Sequence, residues 1–152
     1  MSPQDNVTPF RPRRPPPRPK RPLNLQSHRG KAVMAQTLAL ICFAATYFLP
    51  APPLSFIGLG FGVAALAIAA SNRIDGMPWA RTHHEHAMRT IIIGAASLTL
   101  LTALQLIDYA PLFIVIYWGR IGVCAWAGLR AAIGVALAII RRPIPHPKGL
   151  LI

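Results

Sequence analysis

Three of the five histidines, His83, His84 and His86, stand within four residues around Glu85. Imidazoles and a carboxylate at that density could hold a metal, carry protons or form a charge-switching patch. In a helix, His83 and His86 would share a face at i, i+3, with Glu85 about 100° away from it. Two aligned imidazoles fall short of the three or four ligands that zinc takes, and His28, His146 and Asp75 are distant in sequence. No metal or other cofactor is therefore expected, and His83 and His86 are the pair that a metal would use. Because histidine titrates near neutrality, a pH-responsive role is the alternative. No nucleophile with a companion base can be assembled and no glycine-rich loop follows a strand, so the chain is not expected to be an enzyme.

Two arginines raise a different question, because Arg120 and Arg130 interrupt the apolar run from Leu112 to Ile140. An arginine at the centre of a membrane helix costs about 2.5–3.5 kcal/mol, whereas each large aliphatic residue returns only about 0.3–0.6. Arg130 must either snorkel to headgroups or bond acceptors inside a bundle. Glu85 or Asp75 is the expected partner, which would fold the histidine stretch back onto the last helix. Arg120 faces the same choice near the opposite membrane face: it snorkels outward or lines a polar path.

The composition says what kind of element must position these groups. A chain of 152 residues with 53% hydrophobic and 13% charged residues is long enough for one domain and too apolar for an ordinary soluble one. Sixteen Lys and Arg against four acids give +12, yet the basic residues gather between apolar blocks. That is the pattern of membrane orientation, and no nucleic acid is expected as a partner. Cys42 and Cys124 lie within apolar runs and read as small buried hydrophobes.

Residues 1–31 carry eight basic residues and one acid among repeated prolines. This segment reads as a disordered cytoplasmic arm. Its Arg11, Arg13, Arg14, Arg18, Lys20 and Arg21 are expected to meet anionic lipid, each contributing about 1 kcal/mol near the surface; a proline-rich ligand for a partner groove is a further reading. The arm lacks the apolar centre of a signal peptide, so the first apolar run is expected to be an uncleaved span.

Four spans follow at 32–49, 54–71, 90–107 and 112–140. Proline turns at 50–53 and 108–111 and a polar loop at 72–89 separate them. A run of 18 residues covers about 27 Å, close to a hydrocarbon core of about 30 Å. The last run, at about 44 Å, must tilt, kink near Gly119, Gly122 or Gly128, or emerge. Gly58 and Gly62 have the one-turn spacing that lets two helices approach closely, here within the chain. Retention of Lys and Arg at the cytoplasmic side puts the arm, the loop and the tail 143–152 together there.

Several short motifs recur in a set order. Asn72-Arg73 closes the second run, Trp79-x-x-Thr82-His83 follows, and Arg89-Thr90 opens the third. Trp126-x3-Arg130-x3-Gly134 then precedes Pro143-x-Pro145-x-Pro147. From about Ala32 onward this order resembles a bacterial family of small membrane proteins of unknown function, related to the Tic-twenty chloroplast import component and to magnetosome membrane proteins. The resemblance implies a membrane location and this architecture, but no reaction. The chain departs from it in His84 and His86, in the missing aromatic residue after Arg89-Thr90, and in the basic arm.

These readings lead to an all-α integral membrane protein, four transmembrane helices in two hairpins, with both termini cytoplasmic in a bacterial inner membrane. The expected role is a non-catalytic scaffold or accessory protein that offers its His/Arg loop and arm to protein partners or lipid. The alternative is a channel or translocation component, which needs a homo-oligomer because four spans give little polar lining; a third reading is a metal-binding membrane enzyme.

Overall fold

The computed structural model describes residues 24–49, 55–74, 76–107, 109–147 and 149. The arm residues Arg11 to Arg21, and also Asp75 and Asp108, lie outside this set. The described residues form four helices and no strand: α1 (His28–Phe48), α2 (Ser55–Ser71), α3 (Pro78–Leu104) and α4 (Ala110–Ile139).

Helix α1 starts four residues before the expected boundary, because Ser27 caps it: its Oγ accepts the Gly30 N–H at 3.1 Å. The larger difference is at 72–89, read as a loop. From Pro78 this stretch is the first three turns of α3. Proline suits a first helical turn, and no glycine or further proline follows before Gly94. Helix α4 is continuous for 30 residues, about 45 Å, and contains Gly119, Gly122 and Gly128.

Helix α1 packs against each of the other three, α3 also packs against α2 and α4, and α2 and α4 do not meet. Small residues set these distances. A Cβ on Gly62 would lie 2.8 Å from Cys42 Sγ, and one on Gly58 would lie 3.1 Å from Thr46 Oγ1, so the expected glycine pair is the face on which α2 meets α1. Ala39, Phe43, Ala65, Ile91, Ala127 and Ala131 form the main core, and Ala35, Ala69 and Ala87 a second one.

Burial is inverted relative to a soluble bundle. Phe48, Phe56, Leu100, Leu106, Ile114 and Trp118 are each more than half exposed, while Gln36, His83, His84, His86, Thr90 and Arg130 are buried. Water would penalise such an exterior, whereas hydrocarbon accepts it, and polar side chains in hydrocarbon turn toward the interior. Three helices, α1, α3 and α4, are long and apolar enough to cross a membrane, and α2 is a shorter apolar helix.

Close packing of this kind gives a direct test. A Cβ on Gly94 would meet the Phe43 ring at 2.5 Å, whereas one on Gly122 would meet nothing within 4 Å. Gly94→Ala should destabilise the detergent-solubilised protein by about 1–3 kcal/mol, read as a lowered melting temperature. Gly122→Ala should leave it unchanged or raise it slightly.

Candidate functional site: a buried polar cluster at one end of the bundle

The chain reverses at the end of α4, and this reversal builds the site. The Arg141 N–H bonds Ala138 O and the Arg142 N–H bonds Leu137 O, with Arg141 at φ 57°. This is the two-bond helix terminus that usually places glycine at the left-handed position. Beyond it the tail crosses the first turns of α3. The Ile144 N–H donates to Thr82 Oγ1 at 3.1 Å, and the Ile144 side chain is buried. Thr82 itself donates to Trp79 O at 2.7 Å, and the Trp79 ring stands edge-on to His83.

Beneath the tail lie the histidines. His83 Nε2 is 2.8 Å from Arg142 O; a carbonyl only accepts, so this nitrogen carries the proton. Gln36, from α1, donates through Nε2 to His83 O at 2.9 Å and lies 3.3 Å from His86 Nδ1, which accepts. Gly134 on α4 makes room for this amide, since a Cβ there would come 2.5 Å from Gln36. The same turn of α3 carries Thr90, whose Oγ1 donates to His86 O and accepts from Arg130 Nε at 2.9 Å. Arg130 also lies over the Trp126 ring and donates to Pro147 O at 3.5 Å. Pro143 and Pro145 are exposed and keep the tail extended.

A second layer ties α2 to this assembly. Asn72 donates to Ile68 O at the end of α2 and accepts from Lys31 Nζ at 2.9 Å. Glu85 pairs with Arg89 at 2.7 Å and with Arg73 at 3.2 Å, and the Arg73 carbonyl accepts from Arg81. Of the two acids expected to meet Arg130, Asp75 lies outside the described residues; Glu85 joins Arg73 and Arg89 at the helix surface, and the Thr90 hydroxyl accepts from the Arg130 guanidinium.

The residues singled out from the sequence between Asn72 and Pro147 thus gather at one end, apart from Arg120, which is half-buried toward the other. Sequence reading missed Gln36 and Ile144. Gln36 had a usable signal, as an amide within an uncharged apolar run; Ile144, an aliphatic residue between prolines, had none. Among the described residues no three of His, Cys, Asp and Glu converge on a metal-sized space, and His83 Nε2 is engaged by the Arg142 carbonyl. Comparisons with protein-family models, curated proteins and solved structures gave no match.

The histidines precede the uncharged run that starts at Thr90 and lie outside the segment read as spanning. Burial lowers all three pKa values. It takes His84 to about 4, helped by the neighbouring His83, Lys31 and His28, and His86 to about 3, helped by Arg130 and His83. A histidine that binds protons less readily folded than unfolded stabilises the unfolded state as pH falls below the ordinary value. The melting temperature should be flat above about pH 7 and fall as pH drops below about 6.5, and His86→Gln should flatten this slope. Thr90→Val, which removes an acceptor from a buried guanidinium, should cost about 1–3 kcal/mol in the same melting assay.

Proposed function

We propose that the chain is a four-span integral membrane protein acting as a non-catalytic scaffold, whose polar end presents a basic face to an acidic partner on the cytoplasmic side. The apolar exteriors of α1, α3 and α4 support the membrane reading. Helix α2, of 17 residues, extends about 25 Å and exposes Phe56, Leu59 and Val63 as its neighbours expose theirs. Its span would be the thinnest of the four, met by local thinning or by the flanking residues. Basic residues gathered at one end support a cytoplasmic position for that end, and the family resemblance supports a bacterial inner membrane.

The scaffold reading rests on one observation, the division between the buried and exposed groups at the polar end. His83, His86, Gln36, Thr90 and Arg130 are buried and bond helices and tail together, while Arg73, Arg81, Arg141 and Arg142 remain exposed around them. Buried groups engaged in holding the fold are poorly placed to turn over a substrate; exposed guanidinium groups are suited to carboxylates and phosphates. The basic arm begins at the same end and would add to this surface. For the channel reading, the polar column meets the core of Phe43, Ile91 and Ala127, so conduction would require an interface between copies.

Reporter fusions at Ala80 and at both termini should fall on one side of the membrane, and the protein should sediment with membranes. Crosslinking in cells followed by mass spectrometry should identify a partner that is lost several-fold in Arg141→Glu/Arg142→Glu, with an unchanged melting temperature. A partner retained by that variant would overturn the scaffold reading, and ion flux in liposomes would favour the channel.

A further inference from the structure

Helices α1 and α4 meet closely at the polar end, where a Cβ on Gly134 would come 2.5 Å from Gln36. Toward the other end the two helices leave between them an apolar wedge of about 320 Å³, lined by residues such as Phe43, Ala44, Tyr47, Ile121, Cys124 and Gly128. A second groove of about 260 Å³ adjoins it, sharing Tyr47, Ile121 and Cys124, and brings in Thr46, Tyr117 and Arg120.

Arg120 is the unusual member of this wall. It is half-buried, and it forms no hydrogen bond or ion pair with the protein among the described residues. Its counterpart at the polar end, Arg130, is held by Thr90 and Pro147. A guanidinium amid apolar surface attracts an anion strongly, and its planar fork matches the oxygens of a phosphate. Beside it, the apolar wedge has the form that a hydrocarbon chain fills. The end of α1 at Phe48 and the exposed Tyr47 and Tyr117 put this mouth at the level where aromatic side chains meet headgroups.

We propose that this wedge is a binding site for one anionic phospholipid of the leaflet opposite the polar cluster, with an acyl chain between α1 and α4 and its phosphate on Arg120. The assignment rests on the membrane reading and adds to it a lipid class and a residue that selects it. It is separate from any attraction of the exposed arginines at the polar end. Arg120 serves as the headgroup ligand, and Ala125, exposed at the edge of the groove, marks the path of the chain.

The test uses the full chain extracted in detergent at high salt, where attraction of exposed basic residues for headgroups is screened. Dioleoyl phosphatidylglycerol and dioleoyl phosphatidylcholine are added in parallel, with retained lipid read by native mass spectrometry and stability by melting. The expected result is about fivefold greater retention of the anionic lipid and a melting temperature raised by it. Arg120→Gln should abolish that preference, Arg120→Lys should keep part of it, and Ala125→Trp should reduce retention of both lipids. Equal retention of the two lipids by the unaltered protein would overturn the site, as would an undiminished preference in Arg120→Gln or the same melting shift from inorganic phosphate alone. A chain that stays soluble without detergent would instead overturn the membrane reading; one that needs detergent yet shows no lipid preference overturns this site alone.

Discussion

A guanidinium enclosed among apolar helices has to find its acceptors within the protein, and the position of Arg130 imposes that demand on everything around it. The side chain is 2% exposed. Thr90 supplies one acceptor from α3 and Pro147 another from the tail, so a single charge specifies both which face of α3 turns to α4 and where the tail lies. Without these partners the cost of an uncompensated buried charge would be several kcal/mol. The rest of the polar end is consistent with that placement: Gln36 reaches across Gly134 to the same turn of α3, and His83 turns outward to the tail carbonyl.

Much of the chain away from this cluster has a simpler logic. Lipid tails are as apolar as leucine, so helices in them gain little from burying leucine and more from close contact of small residues. Among the described residues the interior is built largely from alanine and glycine, with Phe43 seated against Gly94. Large aliphatic side chains cover the outside. This inversion gives the bundle two different kinds of adhesive, tight small-residue packing along α1 and α2 and directed hydrogen bonds between α1, α3, α4 and the tail.

The sequence made the helices legible because uncharged runs bounded by proline and charge leave few other structures open. It also made the importance of Arg130 legible, through the cost of its position. Two features were hidden. The stretch 72–89 reads as a loop because hydropathy averages out its helical faces, yet His83, His84, His86 and Thr90 are buried against three different elements. A hydroxyl and a carbonyl also accept from Arg130, and a search for partners by formal charge overlooks acceptors that carry none. The tail was illegible because its contacts come from backbone carbonyls and one isoleucine, which no pattern marks.

The crossing of the tail over α3 has a consequence for the order of assembly. Gln36 and His83 lie 47 residues apart, and His83 and Arg142 another 59, so biosynthesis delivers the three parts of one junction at separate times. The α1–α2 hairpin, joined by small-residue contacts and by the Lys31–Asn72 hydrogen bond, needs nothing from the later helices to close. The histidine turn cannot be completed until α4 has been made and the chain has doubled back, because the carbonyl bonded by His83 belongs to Arg142. The segment that follows all four helices is therefore the one that covers the junction of α1, α3 and α4, a latch that only the complete bundle can engage.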